Sequence, residues 1–240
     1  MKKTFLIITF VLTSLLSQAQ DDSARFMHSI GFGYQYTQFN GVSEMQNTFG
    51  NGYNLDAGAF TINFACYTIY KRFMVGSEFG GLQGKVNDDN AMTSNVSQGF
   101  GYFNLGYLII DNPSFMVYPF VGAGAVYSGL TLKNKTMTDW INDDYVIRSG
   151  QKGNFSSIGA SINAGISFKK SCNPKHSGKQ LQLGLDLGVH ITPMKRDWEY
   201  KGSNEKVESF GSADNVGYYA RFTIGGLMTR AVDKRYGMRR

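Results

Sequence analysis

Apolar and polar residues alternate with period two in long runs along this chain, most plainly in KQLQLGLDLGVHI (Lys179–Ile191). Leu181, Leu183, Leu185, Leu187, Val189 and Ile191 take every second position, with Gln182, Gly184, Asp186, Gly188 and His190 between them. That period places the two sets on opposite faces of a β-strand. Seven further segments show it: Phe26–Gln38, Tyr53–Ile69, Phe73–Lys85, Ser97–Ile110, Phe115–Thr131, Asn154–Phe168 and Asn215–Met228. Tyr53–Ile69 is the least regular, with Phe60, Ile62 and Phe64 as its clearest apolar row. Pro119 interrupts the fifth segment and predicts a bulge or a strand end, because proline cannot donate to a ladder.

The links carry a second regularity. Those after the second, fourth and sixth segments are short (YKR, DNPS and the stretch around KKSCNPKHSGK), whereas those after the first, third, fifth and seventh are long. Short and long links alternating around an even number of antiparallel strands fit a transmembrane β-barrel, with turns on one side and loops on the other. The predicted fold is all-β, an eight-stranded antiparallel up-and-down barrel spanning residues 20–228.

Composition separates a membrane barrel from a soluble one. Past the leading Lys179, the charges in the eight segments reduce to Asp56, Glu78, Lys85, Asp186 and Arg221. The polar rows are otherwise Gly, Ser, Asn, Gln and Thr, small enough for a narrow interior. A soluble barrel would show water a charged row; here the apolar rows suit lipid, where a Lys or Arg at mid-depth costs about 2–4 kcal/mol.

The N-terminus supports export. Lys2 and Lys3 precede the apolar run Phe5–Leu16, and Ser17 and Ala19 follow at signal-peptidase spacing. Residues 1–19 read as a cleaved signal peptide, with the mature chain starting at Gln20. Those two lysines and the net +4 of the tail Thr229–Arg240 account for the whole +6 of the chain. The remaining body is formally neutral, which argues against a nucleic-acid partner. Cys66 and Cys172 fall on opposite sides of the predicted barrel and are expected to stay unpaired.

With QAQ after the signal, aromatic-glycine strands such as SIGFGYQY and this link pattern, the chain resembles the small outer-membrane β-barrel proteins. Among them it is most similar to the Bacteroidota-type outer-membrane barrel domain, which includes PorT-like barrels. The resemblance covers the mature length. It implies an outer-membrane location with both termini periplasmic, contact with lipid and lipopolysaccharide, and insertion by the barrel assembly machinery. It also implies two roles: a structural or surface-interaction protein acting through its outer loops, or an accessory of type IX secretion. In the second role the basic tail, residues 229–240, would meet a periplasmic partner. The chain departs from the pattern in that FTIGGLM is followed by this tail and not by a terminal aromatic residue.

Side-chain parity points Glu78, Asp186 and Arg221 into the lumen near mid-height. Eight strands enclose a bore that side chains just fill, so these three read as a salt-bridge network closing the barrel and not as an ion path. His190 lies inward near the outer rim. Lipid A-modifying barrels use a rim histidine with Ser or Asp, but Thr192 and Asp186 do not supply a nucleophile and base, so His190 reads as a hydrogen-bonded lumen residue. No enzyme activity, cofactor or metal is expected. The clusters NDDN (Asn87–Asn90) and NDDY (Asn142–Tyr145) lack the spacing of a calcium loop. Trp140, Trp198 and Tyr200 in the long links are the candidates for partner contact, against the alternative of an interfacial aromatic girdle.

Overall fold

The alternating segments form eight long antiparallel strands, as a computed structural model shows; it describes residues 24–39, 57–88, 92–142, 145–172, 179–193, 197–201, 205–213 and 215–229. The strands are β1 (Ala24–Phe39), β2 (Ala57–Tyr70), β3 (Phe73–Asp88), β4 (Met92–Tyr107), β5 (Phe115–Asn134), β6 (Lys152–Ser171), β7 (Lys179–Ile191) and β8 (Asn215–Thr229). Each pairs with its neighbours in sequence, and β1 also pairs with β8 from Arg25↔Thr229 to Phe39↔Asn215. The result is a closed eight-stranded antiparallel barrel. Among the described residues no helix is long and apolar enough to cross a membrane.

Parity sorts the side chains as the alternation predicts. Ile30, Phe60, Phe79, Leu105, Val121, Ile158, Leu185 and Phe222, one from each strand, all point outward, and Ile158 and Phe60 remain 72% and 63% exposed. Their inward neighbours, including Gln35, Asn63, Glu78, Gln98, Ser161 and Arg221, are buried. A barrel that exposes its largest apolar residues and buries its charges is matched to hydrocarbon.

The interior is less polar than the sequence suggests. At the short-turn end Met27, Ile69, Met74, Leu108, Met116 and Leu227 form a buried apolar cluster continuing into Tyr67, Tyr118 and Phe120. The turn after β4 shuts this mouth. The Leu108 amide donates to the Arg72 carbonyl, and Arg25 on β1 grips the Asp111 carboxylate with two hydrogen bonds of 2.8 and 2.6 Å. Opposite glycines make the room: a Cβ at Gly80 would fall 2.5 Å from Phe100 Cζ, and one at Gly188 2.5 Å from Tyr219 Cζ.

Several expected boundaries move. The second strand is described from Ala57 to Tyr70, and residues 53–56, including Asp56, lie outside the described residues. The third and fourth extend to Asp88 and from Met92, so the link between them is three residues and not a long loop. β5 and β6 each run for 20 residues. Pro119 causes neither a bulge nor an end: β5–β6 pairing passes through Pro119↔Ile166 without a shift. Its missing N–H falls where the β4 ladder stops, at Gly106↔Phe120. Cys66 and Cys172 are exposed and unpaired. Residues 1–19, expected to be a signal peptide, the basic tail beyond Thr229 and residues 89–90 and 143–144 of the acidic clusters lie outside the described residues.

In lipid vesicles, nitroxide labels at Leu185 and Phe222 are expected to collide with dissolved oxygen as acyl-chain sites do, while one at Thr223 is protected. Protection at Leu185 with oxygen access at Thr223 would invert the barrel.

Candidate functional site

Two features stand out once the strands are placed: a charged layer inside the barrel and a sheet raised above its long-link rim.

In the charged layer, Arg221 on β8 donates through Nη1 to Glu78 Oε1 on β3, with β1 and β2 between them in the wall, so the pair spans the bore. Both side chains are almost wholly buried, 1% and 3% exposed. Glu78 also accepts from Asn63 Nδ2 at 3.1 Å and from Asn104 Nδ2 at 3.2 Å. The guanidinium lies 3.7 Å from the Tyr219 ring centroid and 5.2 Å from that of Phe100, so its faces meet π-systems where they meet no acceptor. Tyr219 in turn donates to Asn163 Oδ1 at 2.9 Å.

Asp186 is not part of that pair, although it faces Arg221 directly across the β7–β8 ladder. Lys169 on β6 takes it instead, at 2.8 Å, and also donates to Thr223 Oγ1 at 2.5 Å; Ser167 donates to Asp186 at 2.5 Å. Lys169 escaped the sequence reading, which ended the sixth strand at Phe168. The odd-position parity of Ser161, Asn163 and Ser167, extended by one step, is the signal that would have found it. The layer thus holds two anions and two cations and is neutral as a whole.

His190 lies outside this ionic layer, in an amide and hydroxyl tier. Its Nε2 is 3.4 Å from Gln35 Nε2, which itself donates to Thr37 at 3.1 Å and Gln98 at 3.4 Å; Gln98 donates to Ser128 at 3.2 Å. At 1% exposure the imidazole is closed to a substrate.

The raised sheet follows from strand length. Crossing hydrocarbon takes about 9–11 tilted residues, so β5 and β6, at 20 residues each, run well past the belt. Residues 197–200 add to the upper part of β6 through Tyr200↔Phe155, and 205–212 add to them in turn. The inward row Val96, Leu130 and Phe155 is buried, as are Leu132, Ile147, Trp198 and Val207. A hairpin, Trp140–Asn142 with Tyr145–Ile147, is tied down by Asn134 Nδ2 donating to the Ile147 carbonyl at 3.1 Å. Trp198, expected among the exposed contact residues, is 0% exposed and serves as a core residue of this sheet. Tyr200 is half-buried, with its ring 5.3 Å from that of Phe155. Trp140 pairs with Ile147 through its backbone; its side chain lies outside the described residues.

No protein-family model matches the chain, and no curated protein does. Among solved structures it is similar to a major outer membrane protein from Thermus thermophilus, at 14% identity and a TM-score of 0.51, over 86% of this chain and 98% of that one. It is also similar to Ail, the attachment invasion locus protein of Yersinia pestis, at 13% identity and 0.47, over 85% and 99%. Neisserial surface protein A follows at 10% and 0.41, over 85% and 96%. The fold is that of the small outer-membrane β-barrels. Beyond the fold, the likeness to the Bacteroidota barrel domain and to PorT-like barrels rests on the residue pattern alone.

Removing one member of the bore-spanning pair strands the other, which costs about 3–5 kcal/mol. Arg221→Met and Glu78→Gln are each expected to lower the urea midpoint of the vesicle-inserted barrel by that order, and the double variant by less than the sum. Additive losses would show that the two groups do not act as a pair.

Proposed function

We propose that this protein resides in the outer membrane as a non-conducting barrel and acts at the cell surface through its raised sheet. The observation that carries the reading is the combination of a sealed bore with strands that outrun the membrane. The bore is crossed by Arg221–Glu78, packed with Tyr67, Tyr118, Phe100 and Tyr219, and plugged below by the methionine-rich cluster. A pore would need none of this. A barrel used only as a membrane anchor for a lumen site would need no ordered sheet built around a buried Trp198.

An outward-directed platform also explains why polar segments such as MTSNVSQ stay in strand pairing above the belt. Flexible loops would carry the same side chains at a higher entropic cost on binding. A sheet supplies them already ordered.

Three outcomes are expected. In planar bilayers the inserted protein gives no discrete conductance steps; stable steps would overturn the sealed bore. Replacing residues 135–151 by an Asn-Gly turn leaves the heat-shifted gel mobility of the barrel intact but abolishes adherence of cells displaying it to immobilised extracellular-matrix protein. Equal adherence by both chains would remove the surface role. Truncation after Thr229 leaves export of other surface proteins unchanged, whereas lost export with an intact barrel would transfer the function to the basic tail.

A further inference from the structure

The outer face of the raised sheet carries an arrangement that barrel stability does not explain. Lys133 on β5 and Lys152 on β6 are directly opposite one another in the ladder. Both point outward and are exposed. Among the described residues neither has a carboxylate within ion-pair distance. Like charges facing each other across a ladder destabilise it, and a Thr or Gln at either position would avoid the cost. Lys201 joins them from the turn just after the added strand: its amide donates to the Asn154 carbonyl at 2.9 Å, and its ammonium sits 5.6 Å from the Tyr127 ring centroid. Among the described side chains the acids on the same face are Glu199, beside Ser156, and Asp197, which already holds Lys206 at 2.8 Å.

The position of these lysines suggests what covers them. Down the same outward column from Lys133 and Lys152 come Thr131 and Asn154, hydrogen-bonded at 2.9 Å, then Gly129 and Ser156, then Tyr127 and Ile158. Ile158 is the most exposed of the apolar residues on these strands, and Tyr127 is the aromatic residue beside it. Six residues at about 3.3 Å each separate that row from the lysines. At a strand tilt near 45° this is a height of about 14 Å. Lysine stems bend back toward the surface, as Lys201 does over Tyr127. The three lysines therefore stand above the last apolar row, Tyr127 and Ile158, in one continuous outward face with it.

We propose that Lys133, Lys152 and Lys201 form a docking patch for a phosphorylated lipid headgroup of the leaflet at the long-link end. A phosphate accepts from several ammonium donors at once and offsets the Lys133–Lys152 repulsion. The patch would fix the tilt and rotation of the raised sheet relative to the membrane. This deepens the outer-membrane reading and rests on it.

The test is site-resolved amine acylation, read by mass spectrometry, on the full chain inserted in vesicles. Phosphatidylcholine vesicles are compared with phosphatidylcholine containing phosphatidic acid, and with phosphatidylcholine plus free inorganic phosphate. Phosphatidic acid is expected to slow acylation of Lys133 and Lys152 about fivefold, corresponding to the roughly 1 kcal/mol that a surface lysine gains near anionic lipid. Lys206, already paired with Asp197, keeps its rate. Lys152→Gln removes the protection of Lys133 and raises the urea midpoint in pure phosphatidylcholine, because it relieves the like-charge pair. Equal rates in all three preparations would overturn the proposal, and so would protection by free phosphate alone. Failure to insert into any vesicle, seen as a missing heat-shifted band, would overturn the membrane reading itself.

Discussion

Backbone hydrogen bonding in a medium without water governs this structure. Each unpaired N–H or C=O in hydrocarbon costs several kcal/mol, so a sheet whose outer face is Ile30, Phe60, Leu105, Ile158 and Phe222 has to close on itself. It closes through β1 and β8 in an unbroken register from Arg25↔Thr229 to Phe39↔Asn215. Closure at eight strands then fixes the bore at a width that side chains fill. From that point the interior is a packing problem, solved by setting glycines such as Gly80 and Gly188 against Phe100 and Tyr219.

A filled bore also determines how its charges behave. No single charge could stay in this interior, so each appears with its opposite: Arg221 with Glu78, Lys169 with Asp186. Replacing such pairs with apolar residues is often no worse for stability, so the pairs are better understood through specificity. Glu78 and Arg221 lie on strands three positions apart around the wall, and they meet only when the barrel has closed in the correct register. Slipping β8 by one residue would turn Arg221 outward into lipid. The pair works as a register lock, and the apolar cluster beneath it supplies the packing.

Much of this was legible in the residue pattern, and the reason is physical. Lipid demands an apolar side chain at every second position, so the belt segments of all eight strands announce themselves, as does the inward direction of Glu78, Asp186, Arg221 and His190. Above the belt that demand ends. Met92–Val96 and Thr131–Asn134 continue the strands with Thr93, Asn95, Thr131 and Lys133 on the outer face and a mixed polar and apolar row, Met92, Ser94, Val96, Leu132 and Asn134, buried on the inner one. Their periodicity is too weak to read without the partner strands. Lys169 was lost for the same reason, since it lies just past the last apolar residue of its strand. Trp198 looked like a contact residue because loops are expected to be exposed. Its burial depends on Val207 lying opposite in a local hairpin and on Tyr200 meeting Phe155, a pairing with a segment far away in sequence.

The raised sheet and the belt are therefore under different rules on the same strands. Within the belt, residues on β5 and β6 are chosen by lipid outside and by the crowded bore inside. Thirteen residues up β5 from Val121, no hydrocarbon remains to exclude polar groups, yet Asn134 is fully buried and donates to two carbonyls, those of Thr138 and Ile147. Its Oδ1 accepts from the Thr136 amide and hydroxyl, and its own carbonyl accepts from the Gly150 amide. A loop with no task would not need one amide to tie together residues on both arms of its hairpin. Order at that distance from the membrane costs chain entropy. What that order provides is a fixed outward face, on which the positions of individual side chains are determined by the hydrogen bonds beneath them.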